Sequence, residues 1–160
     1  MIAGFELVQY FEQHPDKAIT ILQLSKHIGK SYGGTHAAVT ELTKQGVLKT
    51  ERVGAAIACL PNLKSEKAIA LLASASLLRA AETETSGMKE AIRHLRDSSY
   101  VIWCSEGTLY AIMRPHATTS VSGGMAVKSV TIDELYPDTM AKGIVLWGAD
   151  VFWHLASEKP

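Results

Sequence analysis

The sequence predicts an α+β protein in three parts: an N-terminal helical region closed by a β-hairpin, a long connecting helix, and a small C-terminal α+β region. Three observations support this fold class. Apolar residues before position 45 recur at the three- and four-residue spacing of amphipathic helices. Two short strand-like runs flank Gly54, and an Ala/Leu-rich run from Ser65 to Glu82 precedes about four further apolar segments.

Composition and charge limit the number of domains and the kinds of partner that the chain can have. At 160 residues the chain is long enough for one large domain or two small ones, and 47% hydrophobic residues can supply a core. The 16 basic and 16 acidic residues cancel, so the net charge identifies no partner. Residues 23–53 nevertheless hold five Lys or Arg against Glu41 and Glu51, which leaves a local excess of three positive charges.

Targeting signals and cysteines point to a soluble, cytoplasmic protein. The N-terminus has no basic segment followed by an apolar one, so no secretion signal is expected. The most apolar run, Ala68–Ala81, is shorter than the ~20 residues that a membrane span needs. Cys59 and Cys104 each lie within an apolar run, which predicts buried thiols in a reducing compartment without a disulfide framework.

The first two helices and a short strand follow from apolar spacing and helix-ending residues. Ile2, Phe5, Val8 and Phe11 recur every three residues, and Pro15 ends this first helix. Ala18–Thr20 is compatible with a very short strand. A brief second helix ends at Gly29 and is marked by Leu22, Leu24 and Ile28.

A third helix and a hairpin complete the N-terminal region. Ser31 is a good N-cap residue, and the helix is expected to run to about Gln45, with Gly46 just beyond its end. Its inward stripe consists of Thr35, Ala38, Val39 and Leu42. The strands are predicted at Val47–Arg52 and Ala56–Leu60, joined by a turn over residues 53–55.

The connecting helix, Ser65–Glu82, is apolar on more than one face, which predicts that it is buried. We expect it to form the interface of a homodimer; the alternative is a helix buried within the monomer. A polar segment, Glu82–Gly87, marks a hinge. The domains expected are therefore 1–62, 63–87 and 88–160.

The C-terminal region reads as an α+β unit. A helix is predicted at Met88–Arg96 and a second at Asp150–Ala156, with a loop over Arg114–Ala126 and a broken helical turn over Asp133–Lys142. The expected strands are Tyr100–Cys104, Thr108–Met113, Val127–Ile132 and Ile144–Trp147.

The segment "LQLSKHIGKSYGGTHAAVTELTKQGVL" and the hairpin after it resemble the winged helix-turn-helix of prokaryotic and archaeal transcription regulators. The resemblance covers residues 1–62, and Thr35 departs from it by occupying a position that is usually aliphatic. It implies a regulator that binds double-stranded DNA, with the third helix in the major groove. The alternative is a protein-interaction adaptor that uses the same fold without DNA.

The resemblance assigns candidate DNA contacts along the third helix and the hairpin. Tyr32, His36 and Thr40 lie four residues apart on one face and would read bases. Gly33 would let the backbone approach DNA, unless the glycines form a turn before a helix that begins only at Thr35. Contacts to phosphate would come from Ser31 at the helix N-terminus and from Lys26, Lys30, Lys44, Lys49 and Arg52.

The tail, "VKSVTIDELYPDTMAKGIVLWGADVFWHLA", resembles the end of minimal nucleotidyltransferase domains that are sometimes fused behind winged helices. Those enzymes need Gly-Ser after the first strand and paired aspartates that hold Mg²⁺. This chain has "WCSEG" there, and Glu106 is the one acidic residue between Asp97 and Asp133. We therefore expect a degenerate domain without catalysis, metal or cofactor; an effector that the sequence does not identify stays possible.

Overall fold

A computed structural model of the protein describes residues 4–117, 125–134 and 143–158. The fold is α+β, as predicted. The chain divides into two compact units, Met1–Leu72 and Ala73–Pro160. The division falls inside the long helix that the sequence analysis had assigned to a connecting segment of its own.

The first unit contains three helices and three strands in the order expected from the sequence. They are α1 (Phe5–Gln13), β1 (Ile19–Thr20), α2 (Ile21–His27), α3 (Tyr32–Lys44), β2 (Leu48–Val53) and β3 (Ala56–Pro61). The strands form an antiparallel sheet in the order β1-β3-β2. Cys59 is opposite Ile19 on one side and Thr50 on the other.

The start of α2 is set by its neighbours in sequence. The Thr20 hydroxyl accepts a hydrogen bond from the Gln23 backbone N–H, and the Gln23 side chain accepts one from the Thr20 N–H, which together form a capping box. The helix buries Ile21 and Leu24. Leu22 is 53% exposed, because burial of residues 21 and 24 turns position 22 toward solvent.

The core of the first unit joins α1 and α2 to α3. Leu7, Val8 and Phe11 of α1 are buried, as the three-residue repeat predicted. The start of α1 lies so close to α3 that a Cβ at Gly4 would stand 3.2 Å from the Ala38 Cβ. A side chain at position 4 would therefore push the two helices apart.

The second unit contains the remainder of α4 (Glu66–Thr83), α5 (Ser86–Leu95) and α6 (Ala149–Ser157) around one described sheet. Its strands are β4 (Ser99–Ser105), β5 (Thr108–Met113), β6 (Val127–Val130) and β7 (Ile144–Trp147). Their order is β6-β5-β4-β7, with only the β5–β6 pair parallel. The loop predicted over Arg114–Ala126 and the turn over Asp133–Lys142 lie partly outside the described residues.

The core of the second unit is built on tryptophans and small residues. Trp103 and Trp153 are each 1% exposed, and the Trp153 indole N–H donates a 3.0 Å hydrogen bond to the Ser76 hydroxyl of α4. This bond satisfies a buried donor. Trp147 is 40% exposed, because it is the last residue of an edge strand.

Helix α4 is buried along much of its length but not all round. In the second unit, Ala73, Ala75, Ser76 and Ala80 are buried. Leu77 and Leu78 are 54% and 49% exposed. The helix is therefore apolar on more than one face, as predicted, and two of its leucine side chains face solvent. Among the described residues, no helix is both long and apolar enough to cross a membrane.

The junction between β7 and α6 yields a test of the second unit. Gly148 has φ +69°, and a Cβ there would overlap the carbonyl oxygen of Tyr100. We expect Gly148→Ala to lower the free energy of unfolding of this unit by about 3–5 kcal/mol, because left-handed strain and overpacking add. All three tryptophans lie in this unit, so their fluorescence during urea unfolding measures the change.

Gly107→Ala is the matched control for Gly148→Ala. Gly107 also has a positive φ, +77°, but a Cβ there meets no atom within 4 Å. Strain alone should cost about 1–2 kcal/mol. Equal losses in the two variants would contradict the close approach at Gly148.

Candidate nucleic-acid interface

The N-terminus of α3 is capped by Ser31. Its hydroxyl accepts a 3.2 Å hydrogen bond from the Gly34 N–H, and the helix begins at Tyr32. The alternative in which the helix starts only at Thr35 is therefore wrong, and both glycines lie in the first turn. Backbone N–H groups of a first turn lack intrahelical partners and favour anions.

The turn at the C-terminus of α3 fixes the position at which the hairpin begins. Gly46 has φ +74°, its N–H donates to the Thr43 carbonyl at 3.0 Å, and the Val47 N–H donates to the Leu42 carbonyl at 2.8 Å. These two bonds form a Schellman motif, which requires a left-handed residue after the helix. The Asn62 side chain donates to the Gly46 carbonyl at 2.9 Å and ties the end of the hairpin to the same turn.

The buried stripe of α3 decides which residues point outward. Thr35, Val39 and Leu42 are at most 1% exposed. The Thr35 hydroxyl donates to the Ser31 carbonyl at 3.0 Å, so this polar residue at an inward position leaves no hydroxyl proton unpaired. With about 100° between successive residues, Gly33, Ala37 and Lys44 lie on the side opposite the stripe.

All ten candidate contact residues are exposed to solvent. Tyr32 is 51% exposed, and its ring centroid lies 6.0 Å from that of His36. The Thr40 hydroxyl donates a hydrogen bond to the His36 carbonyl at 2.8 Å, and its oxygen can still accept a hydrogen bond from another group. A Cβ at Gly33 would meet no atom within 4 Å, so nothing in the protein requires glycine at this position.

A groove of about 200 Å³ runs between α3 and the hairpin. The residues that line it are Ile21, His36, Val39, Thr40, Thr43, Lys44, Thr50 and Ile57. Sequence reasoning missed Ile21, Thr43, Thr50 and Ile57. The alternation of side chains along β2 could have identified Thr50, but the register that brings Ile57 opposite Arg52 is a tertiary property.

Strand alternation separates the two predicted cations of the hairpin. Thr50 lines the groove, and Arg52, two residues on and directly opposite Ile57, shares that face of the sheet. Lys49 lies on the opposite face. Arg52 therefore shares the sheet face whose Thr50 and Ile57 line the groove with Lys44 and His36, and Lys49 lies on the other face.

Lys30 already has a partner in the folded protein. Its Nζ donates to the Glu6 carboxylate at 2.7 Å, a pair that joins the α2–α3 loop to α1. This hydrogen bond holds the pKa of the Glu6 carboxyl below its ordinary value of 4.5. The pair offsets one of the three excess positive charges of this region.

Neither cysteine lies in an environment that would make it a nucleophile. Both are free and buried, as predicted. Burial raises the pKa of the Cys59 thiol to about 11, and its S–H donates to the Ile19 carbonyl at 3.4 Å. Such a thiol is not a nucleophile near neutral pH. Over residues 4–117, 125–134 and 143–158, no group of His, Cys, Asp or Glu side chains is arranged to hold a metal ion.

Comparison of the chain with protein-family models, with curated proteins and with solved structures finds no match in any of the three. The surface around α3 is therefore interpreted from its own chemistry. Its features are a capped helix N-terminus, an exposed face of small and polar residues, and two cations beside a groove.

The Glu6–Lys30 pair predicts a pH dependence. Because the folded pKa of Glu6 is lowered, the pair stabilises the fold above pH 4.5 and its contribution is lost as the pH falls below that value. Glu6→Gln should reduce the stability difference between neutral and acidic solution by less than about 1 kcal/mol, since the pair is partly exposed. Urea unfolding at several pH values measures the difference.

Lys30→Met is the companion variant, because it removes the same pair from the other side. It should flatten the pH profile of stability to the same extent. A full wild-type pH dependence in Glu6→Gln would contradict the pair.

Proposed function

We propose that the protein is a DNA-binding transcriptional regulator whose first unit is a winged helix-turn-helix. The observation that carries the proposal is the exposed face of α3, where small and polar side chains continue from the capped N-terminus to Lys44. The order helix, strand, two helices and hairpin supports it, because the winged helix is built in that order. In such proteins the corresponding helix lies in the major groove.

The face of α3 suits close contact with duplex DNA. Gly33 and Ala37 add almost no side-chain volume, so the backbone can approach the groove floor. His36 and Thr40 carry the hydrogen-bonding groups that base edges recognise, and Tyr32 offers a ring beside them. The uncommitted N–H groups of the first turn and the Ser31 hydroxyl fit a phosphate.

Phosphate contacts beside α3 would come from a few cations. Lys44 lines the groove, Arg52 lies on the same sheet face as Thr50 and Ile57, and Lys26 is exposed on α2. Lys30 is already paired with Glu6, which offsets part of the attraction that its charge would have for a phosphate. A single copy therefore offers few contacts, which predicts modest affinity and a shallow dependence on salt.

The second candidate function is a protein-binding adaptor, and one observation favours it. Ile57 of the hairpin is 37% exposed and lines the groove beside α3, and Val53, on the opposite face of the hairpin, is 56% exposed. Exposed apolar and aromatic side chains around a groove are typical of a protein interface. Binding of that kind would depend little on salt, which separates it from DNA binding.

The two cations beside the groove provide the test of DNA binding. Replacing Lys44 and Arg52 with Gln should weaken binding to all duplex sequences and lower the slope of log affinity against log salt by about 0.9 for each lost contact. Fluorescence anisotropy with pooled duplexes over a range of salt measures both quantities.

Lys49→Gln is the matched control on the same hairpin, since its side chain lies on the opposite face of the sheet. It removes the same charge and should change the salt slope by less than either substitution beside the groove. A wild-type protein without salt-dependent affinity for duplex DNA would favour the adaptor.

Gly33→Ala separates contact with DNA from folding. A Cβ at position 33 meets nothing in the protein, so the variant should fold and gain about 0.5–1 kcal/mol of helix stability. Affinity for DNA should nevertheless fall, because the added methyl group lies on the face proposed to approach the bases. Urea unfolding and anisotropy on the same preparation measure the two effects.

His36→Ala provides the comparison within the same helix face. It removes a hydrogen-bonding side chain and should change the preference for one base, whereas Gly33→Ala should weaken binding to every sequence. Unchanged DNA affinity in a stabilised Gly33→Ala variant would show that α3 does not approach DNA closely.

A further inference from the structure

Among the described residues of the second unit, five large apolar side chains are exposed, and four of them lie on α4, β4 and β7. Leu77 and Leu78 of α4 are 54% and 49% exposed, Tyr100 of β4 is 41% exposed, and Trp147 of β7 is 40% exposed. Three of them, Leu77, Tyr100 and Trp147, line one open cavity. Tryptophan and tyrosine carry much of the binding energy at protein interfaces, and they are costly to leave in water.

The cavity measures about 370 Å³ and lies wholly within the second unit. Apart from Leu77, Tyr100 and Trp147, its lining comprises Ala73, Arg114 and the segment 148–151 at the start of α6. The walls are held firmly, because the backbone at Gly148 is in van der Waals contact range of Tyr100, with no room for a Cβ between them. We name this region, together with Leu78, the Trp147 surface.

The Trp147 surface carries one charge of each sign. The Arg114 guanidinium lies 5.0 Å from the centre of the Tyr100 ring, and its Nε donates to the Ser99 carbonyl at 3.5 Å. Asp150 is exposed in the first turn of α6. In the part of the chain that the structure describes, neither side chain has an ion-pair partner.

We propose that the Trp147 surface binds the same surface of a second copy of the chain, related by a two-fold axis. A two-fold interface brings one patch against itself, so each contact between residues i and j occurs twice. A patch with one basic and one acidic side chain beside an apolar centre is complementary to itself under that symmetry. Arg114 of each copy then faces Asp150 of the other, while Leu77 and Trp147 cover the partner's cavity.

Charge favours a second copy over the other occupants. A nucleic acid would be repelled by Asp150, and a simple anionic ligand would meet the same carboxylate beside the arginine. The inference goes beyond the proposed function and does not rest on it, because the surface contains none of the residues assigned to DNA. The homodimer expected from α4 would thus have a defined interface, centred on Leu77.

Multi-angle light scattering of the full chain, at micromolar concentration and without DNA, tests the dimer. We expect a mass of twice 17.3 kDa for the wild type and half of that for Leu77→Glu. Ile132→Glu is the control, since Ile132 is also a large exposed apolar residue, 46% exposed, but does not line the cavity. Tryptophan fluorescence confirms that each variant is folded.

Charge complementation tests the two-fold pairing itself. Arg114→Glu and Asp150→Lys, each alone, place like charges opposite one another twice and should weaken dimerisation about tenfold or more. An equimolar mixture of the two variants should form a heterodimer, because both cross-pairs are then of opposite charge. Native mass spectrometry, with one variant carrying a mass tag, measures the heterodimer fraction.

The outcomes are distinct. A monomeric wild type overturns the proposal, and a surface that binds a small molecule instead would give this result. A mixture with no more heterodimer than homodimer of the single variants also overturns it. A dimer that Leu77→Glu abolishes, with preferential heterodimer in the mixture, supports it. Since these measurements contain no DNA, their failure leaves the DNA-binding proposal to its own tests.

Discussion

The first unit depends on the burial of one stripe of α3. Because Thr35, Val39 and Leu42 are removed from water, the opposite side of the helix must face outward, and this side holds Gly33, Ala37 and Lys44. The same stripe controls the hairpin, since the Leu42 carbonyl accepts the bond that closes the turn at Gly46. Disturbing this stripe would therefore alter both the exposed face of α3 and the groove beside it.

The two units are stabilised by different interactions and expose different kinds of surface. In the first, Gly33 and Gly34 leave the backbone of the first turn of α3 accessible, while Thr35, Val39 and Leu42 are buried on the other side of the helix. In the second, a tight backbone approach at Gly148 and the buried bond between Trp153 and Ser76 hold the sheet, α4 and α6 together. That rigidity keeps Trp147 and Tyr100 exposed at fixed positions, as a preformed interface requires.

The sparse charge around α3 gives the proposed dimer a physical role. Lys30 is held by Glu6, and Lys49 lies on the far face of the hairpin, so one copy would present few cations to the proposed DNA partner. Two linked copies would double the phosphate contacts, and the second binding event would be intramolecular. A regulator built this way would bind DNA weakly as a monomer and firmly only as a dimer. Dimerisation through the Trp147 surface would then raise the DNA affinity of the α3 face.

The sequence by itself determined the features that depend on neighbours in the chain: the α+β class, the helices and strands to within a few residues, the Ser31 cap, the glycine end at Gly46 and the buried stripe of α3. Caps and periodicity act over a few residues and can be read directly. Only the tertiary structure decided the pairing of Lys30 with Glu6, the separation of Lys49 from Arg52, and the exposure of Leu22, Leu77 and Trp147. These depend on strand register and on which elements happen to cover a given side chain, and both are set by contacts between residues far apart in the sequence.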